Sequence, residues 1–220
     1  MPSINRPVSE YFRVVLAIAV ISILLTSCTS TTKVRLEKGL SMEAFENLGP
    51  LDRQPVTMGV LIPRDLRTAV IVQKMGQIEY TLDVGNALSA KLMQILAYKF
   101  SRVVLLEDEK AEPAIPWDLK MRVELVETDL KLDRKTGWFA YTMRSGGYIG
   151  LKSTVVNRQG QVVWVGSARA EGHGESAYTG YEVPDVQGGL SEAIDVAVAQ
   201  IAAQMAKSEA LRKAINEATH

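Results

Sequence analysis

Tyr148-Ile149-Gly150-Leu151-Lys152-Ser153-Thr154-Val155-Val156-Asn157-Arg158-Gln159-Gly160-Gln161-Val162-Val163-Trp164-Val165 reads as a β-hairpin. Ile149, Leu151, Ser153 and Val155 recur at every second position, the period of a pleated strand. Asn157 and Gly160 bring turn chemistry, because asparagine bonds its own backbone and glycine accepts a positive φ. The return strand over 161–170 carries Val163, Trp164 and Val165 for packing, and Gly172 and Gly174 are expected to end it.

Working upstream, Leu119, Met121, Val123 and Leu125 alternate with Lys120, Arg122 and Glu124. One wet face and one dry face are typical of antiparallel pairing, so 117–132 should join the hairpin as a meander. Val56-Thr57-Met58-Gly59-Val60-Leu61-Ile62 is an uninterrupted apolar run stopped by Pro63, and reads as a buried strand. Short strands follow at 69–72 and 78–82. Asp83 is placed to cap a helix over 84–100, with Val84, Leu88, Leu92, Ile95, Leu96 and Phe100 near one face. Residues 103–106 give another strand, and the segment 133–147 a loop. Downstream, Leu190, Ile194, Val198, Ile201, Met205, Leu211 and Ile215 make the stripe of one long helix over 187–215. The expected class is α+β: a mainly antiparallel sheet with two helices on one face, a two-layer sandwich.

The N-terminus has different chemistry. Arg6 and Arg13 precede Val14-Val15-Leu16-Ala17-Ile18-Ala19-Val20-Ile21-Ser22-Ile23-Leu24-Leu25, an apolar run of twelve broken by one serine. That length suits the hydrophobic region of an export signal, about 7–15 residues, and falls short of the roughly 20 that span a bilayer. Glu10 departs from the usual net positive charge of such a leader. The run closes on Leu25-Thr26-Ser27-Cys28, which resembles the lipobox of bacterial lipoproteins. By that resemblance, cleavage after Ser27 leaves Cys28 as the first residue, carrying a diacylglyceryl group on sulfur and an N-acyl chain. One acyl chain holds weakly, at about 0.8 kcal/mol per buried methylene, and two or three hold effectively for good. Residue 29 is threonine rather than aspartate. By resemblance to the sorting rule of Gram-negative enteric bacteria, this implies the outer membrane, facing the periplasm. The expected organisation is a signal peptide at 1–27, lipidated Cys28 with a flexible tether at 28–55, and one periplasmic domain at 56–220.

Charge and composition narrow the function. Taking Arg6, Arg13 and Glu10 from 25 basic and 25 acidic residues leaves 23 and 24 in the mature chain, a net charge of −1. A near-neutral chain of mixed sign gives no electrostatic case for nucleic acid. A single cysteine forbids an internal disulfide. His173 and His220 are the only histidines, so zinc ligation lacks its ligands, and a nucleophile–histidine–acid constellation could use only His173. His173 sits in Glu171-Gly172-His173-Gly174-Glu175-Ser176, where a solvated turn is the plainer reading. Arg144-Ser145-Gly146-Gly147 lacks the lysine and spacing of a phosphate-binding loop. The most suggestive surface is 131–141, where Lys131, Arg134 and Lys135 are followed by Trp138, Phe139 and Tyr141. Basic groups beside aromatics suit a protein interface, or an anionic lipid or glycan. The alternative is that the aromatics fold inward.

The element order resembles small envelope lipoproteins, above all the YajG-type lipoprotein family. The resemblance covers about 56–216 and rests on the Met58-Gly59-Val60 strand, the Leu82-Asp83 helix entry, the charged strand 117–132, the hairpin 148–171 and the helix after Asp185. It extends more distantly to auxiliary lipoproteins of lipopolysaccharide assembly, cell-wall synthase activation and ABC transport. It implies a non-catalytic accessory with no cofactor beyond its acyl chains, held to the membrane and binding an envelope protein, or alternatively a lipid or glycan. The competing expectations are a lipid or lipopolysaccharide transport auxiliary, which requires an apolar groove, and an enzyme using His173.

Overall fold

The computed structural model describes residues 30–46, 48, 53–106, 108, 116–137, 141–178 and 186–219. The leader, Leu25, Thr26, Ser27 and Cys28, and the aromatic pair Trp138 and Phe139 lie outside the described residues. The described chain is α+β, with two sheets and five helices.

The larger sheet has the strand order β5 (Phe100–Leu106), β2 (Gln54–Leu61), β6 (Leu119–Thr136), β7 (Tyr141–Asn157), β8 (Val162–Tyr178). The meander is as read: β6, β7 and β8 pair antiparallel, and Gly160 closes the β7–β8 turn with φ +77°. Most of the sheet is antiparallel as expected, but its other half is not, since β2 is parallel to both β5 and β6. The reason lies in β2 itself. Met58 and Val60 are fully buried and Leu61 nearly so, and a strand covered on both faces is the kind that sits inside a parallel arrangement. Parallel neighbours need a crossover, and residues 62–99 supply it.

That crossover contains two of the three strands of a second sheet, which the sequence did not separate from the first. Its order is β1 (Ser30–Val34), β4 (Ile78–Asp83), β3 (Val70–Met75), with β1 parallel and β3 antiparallel to β4. A short helix, α2 (Arg64–Arg67), leads into β3. The helix α3 (Val84–Lys99) starts where expected, with the Asp83 side chain accepting from the Asn86 amide at 3.1 Å. Leu88, Leu92, Ile95 and Leu96 are each no more than 1% exposed, and each such burial contributes about 1.5–3 kcal/mol.

Residues 30–48 fall in the stretch read as a tether, and their described part is packed. After β1 the chain runs along α3: Gln94 donates to the Lys38 carbonyl and accepts from the Leu40 amide. The helix α1 (Met42–Glu46) sets Phe45 edge-on to Tyr98, with 5.6 Å between ring centroids, and Lys99 donates to the Leu48 carbonyl. Gly39 breaks regular structure here, but Leu36, Ala44 and Leu48 carry too much apolar surface to be left in water.

Two further expectations need correction. The closing helix is two helices, α4 (Gly188–Lys207) and α5 (Glu209–Ala218). Ser208 divides them, extended at ψ 114° with its hydroxyl accepting from the Leu211 amide, because serine is better used at a cap than inside a helix. Nor do Gly172 and Gly174 end β8, which runs on to Tyr178, while most of the expected 133–147 loop is strand. Those glycines answer to packing instead. A Cβ on Gly147 would fall on the Gly189 and Leu190 backbone, and one on Gly172 on the Gly189 carbonyl. The Gly189 amide donates to Ser145 Oγ at 3.0 Å, so the first turn of α4 lies directly on the backbone of β7 and β8.

Candidate functional site

Beyond residue 130, β6, β7 and β8 run on well past the pairing of β6 with β2, which reaches only to Arg122. The extension is a three-stranded arm. Its backbone register sets Lys131 opposite Gly146 and His173, Asp133 opposite Arg144 and Glu175, and Thr136 opposite Tyr141 and Tyr178. The sequence grouped Lys131, Arg134, Lys135 and Tyr141 in one loop, and the arm divides them. Strand alternation puts Lys131 and Lys135 on one face and Arg134 with Tyr141 on the other. Arg134 stacks over the Tyr141 ring at 3.9 Å from its centroid, and Lys131, Arg134 and Lys135 are all exposed.

The face of β6–β8 that carries Lys131 is mostly charged and polar, with Val165 an apolar exception, 55% exposed. Arg144 Nε lies 2.8 Å from Glu175 Oε2, and Arg169 Nε lies 3.0 Å from Glu127 Oε1. Tyr148 donates its hydroxyl to the same Glu127 oxygen at 2.8 Å. Gly150 sits between Glu127 and Arg169 in register, and a Cβ there would lie 2.7 Å from Glu127 Cγ, so its absence lets the carboxylate cross a strand. That hydrogen bond, which the ionised phenol would lose, is the leading cause raising the Tyr148 pKa above its ordinary value. The face presents charges in opposite-sign pairs, not a stripe of one sign. His173 is on it and exposed, and its backbone amide donates to Glu192 Oε2 at 2.6 Å.

The opposite face is covered, chiefly by α4 along β7 and β8. Between α3, α4 and α5 an open-mouthed cavity of about 280 Å³ is lined by Leu96, Phe100, Met205, Leu211 and Ile215, with Lys99 and Arg212 also on its wall. Where α3 and α4 meet, Lys91 Nζ is 2.7 Å from Asp195 Oδ1 and 2.9 Å from Ser191 Oγ. Asp195 Oδ2 accepts from the Ser41 amide at 3.3 Å, which ties the N-terminal strap to both helices. Sequence reading missed this cluster. The available signal was a lysine one turn from Leu88 and an aspartate beside Ile194, each within an apolar stripe.

Among the described residues no group of histidine, cysteine, aspartate and glutamate is arranged to hold a metal, and no helix is long and apolar enough to cross a membrane. No protein-family model matches the chain, and no curated protein matches it in sequence. Among solved structures, a neuraminyllactose-binding hemagglutinin homolog from Helicobacter pylori is 10% identical, with a TM-score of 0.43, over 84% of this chain and 98% of that one. A minor lipoprotein from Acinetobacter baumannii is 14% identical, with a TM-score of 0.29, over 74% and 96%. A protein described as a lipoprotein from Caulobacter crescentus is 12% identical, with a TM-score of 0.32, over 80% and 94%. At these values the overlap is loose and says nothing about what this chain binds.

Proposed function

We propose that this chain is a lipid-anchored outer-membrane lipoprotein of the YajG type, facing the periplasm, whose single domain is a non-catalytic binding accessory in envelope assembly or maintenance. The observation that carries the reading is Leu25-Thr26-Ser27-Cys28 closing a twelve-residue apolar run, two residues before the first described strand. Acylation of Cys28 would confine the domain to a thin layer at the membrane and raise its effective concentration towards partners there. The exposed arm around Lys131, Arg134 and Lys135 is the surface offered to an envelope protein. The fold is read as two layers, with α3 and α4 on the covered face of the larger sheet and the charged face left for solvent or partner.

Two measurements test this. The mass of the N-terminal peptide from the wild-type protein should show acyl chains on Cys28, and Cys28→Ser should leave the leader uncut. A photo-crosslinking residue in place of Lys135 should capture a discrete envelope protein in living cells. Recovery of bare monomer alone, from several positions on the arm, would count against the accessory role.

One observation favours a second reading, a lipid or lipopolysaccharide transport auxiliary. The cavity beside Phe100 and Met205 combines an apolar wall with Gln54, Ser208 and two cationic side chains, a mixed lining that suits an acyl chain with an anionic head. Lipid extracted from the purified wild type and missing from an Ala202→Phe variant would support it.

A further inference from the structure

The distance from Cys28 to the first strand decides how the domain meets the membrane. The Ser30 amide donates to the Gln77 carbonyl at 3.1 Å, and Ser30 is in register with Ile78. Ser30 is therefore fixed at the β3–β4 turn. Two residues of chain reach at most about 7 Å, so the acyl-bearing Cα stays within that distance of Ser30 in any conformation. The opposite end of the same sheet, where Val70 pairs with Asp83, is five strand residues away, roughly 17 Å.

We propose that the β3–β4 turn is the membrane-contacting end of the domain, and that the β1–β4–β3 sheet stands end-on to a phospholipid bilayer. The proposal rests on acylation of Cys28. The side chains at this end fit a lipid surface. Gly76 and Gln77 are exposed, Gly76 with φ +61°, so the turn is tight and free of bulk. Ile78, 37% exposed, puts one apolar group beside the anchor, though Val70 at the far end of the sheet is more exposed, so the end is chosen by the short chain from Cys28. Lys74 carries its ammonium on a side chain 69% exposed, beside Glu79 at 3.4 Å, within reach of headgroup phosphates. In this arrangement the anchor is a short post, not a long leash, and the orientation of the domain is set by β1.

The single native cysteine makes the test clean, because acylation consumes Cys28 and any introduced thiol is unique. The full-length acylated protein, as Gln77→Cys or as Asp65→Cys, is labelled with nitrobenzoxadiazole and reconstituted in vesicles of phosphatidylethanolamine and phosphatidylglycerol. Asp65 is exposed on α2, next to the Val70 end of the sheet. Nitroxide-bearing phospholipid should quench at least half of the emission from position 77 and leave position 65 unquenched. Quenching at both positions would mean a sheet lying flat, and quenching at neither a domain held away; either overturns the proposal while the acylation stands. Mass analysis of the N-terminal peptide separates these from the remaining case: an unacylated Cys28 would remove both the lipoprotein reading and this one.

Discussion

Lys91 Nζ and Asp195 Oδ1 are 2.7 Å apart at the junction of α3 and α4, with side-chain exposures of 0% and 8%. Desolvating two charges offsets much of their attraction, but removing one partner leaves the other buried and uncompensated. Asp195→Ala should therefore destabilise the domain by about 3–5 kcal/mol. The double replacement Lys91→Met with Asp195→Leu should recover most of that loss. Urea unfolding of the wild type, the single variant and the double variant measures it. Equal losses in the single and double variants would mean that packing, not charge, dominates the site.

Neighbouring glycines on β7 should respond oppositely to alanine. A methyl on Gly147 would overlap the α4 backbone, whereas the nearest atom to one on Gly146 is Lys131 Cβ at 4.0 Å. Gly147→Ala forces the helix off the sheet and should cost at least about 1–3 kcal/mol. Gly146→Ala should be neutral or slightly stabilising, since alanine restricts the unfolded chain more than glycine does. Thermal unfolding of the pair makes the comparison, and a similar loss at Gly146 would show that the arm tolerates no side chain at all.

These glycines mark where the sequence could be read and where it could not. Alternation in β6 and β7, the turn at Gly160 and the Asp83 cap are local signals, and each gave its element. Gly172 and Gly174 carry a local meaning, strand breaking, that close contact with α4 overrides. The parallel pairing of β2 depended on what covered its second face, which no local pattern states. Leu36 and Leu48 lie between breakers and lack a period, so their burial became visible only with α3 and α4 in place. The cavity was not legible in the sequence, since Leu96 and Ile215 meet only after the chain breaks at Ser208.

The Tyr148 phenol should titrate above its ordinary value near 10.0, and Glu127→Gln should bring it back towards that value. The Glu127 carboxylate is the leading cause, because the ionised phenol would lose the hydrogen bond it donates to that group, and the like charges add to the effect. A raised folded pKa means that the folded state holds this proton more tightly than the unfolded chain. The stabilisation is thus complete below the unfolded value and is lost as pH climbs through the folded one. Ultraviolet difference absorbance of tyrosinate, corrected for the other tyrosines with Tyr148→Phe, reads the shift directly. An unshifted Tyr148 in the wild type would mean that the Glu127 contact does not persist in solution.

Arg134 over the Tyr141 ring offers a way to separate the arm's role from the stability of the domain. An exposed cation–π contact contributes about 0.5–1 kcal/mol, so Arg134→Ala should barely move the unfolding midpoint. Lys131→Glu, Arg134→Glu and Lys135→Glu together reverse three exposed charges and remove no buried contact of their own. That variant should stay folded and acylated in the membrane while capture by a photo-crosslinking residue at exposed Thr136 falls sharply, because complementary charge steers encounter and rejects the wrong sign. Undiminished capture would place the binding surface elsewhere. Loss of folding in the triple variant, with Arg134→Ala stable, would instead show that the arm's charges support β6–β7 pairing and serve no partner.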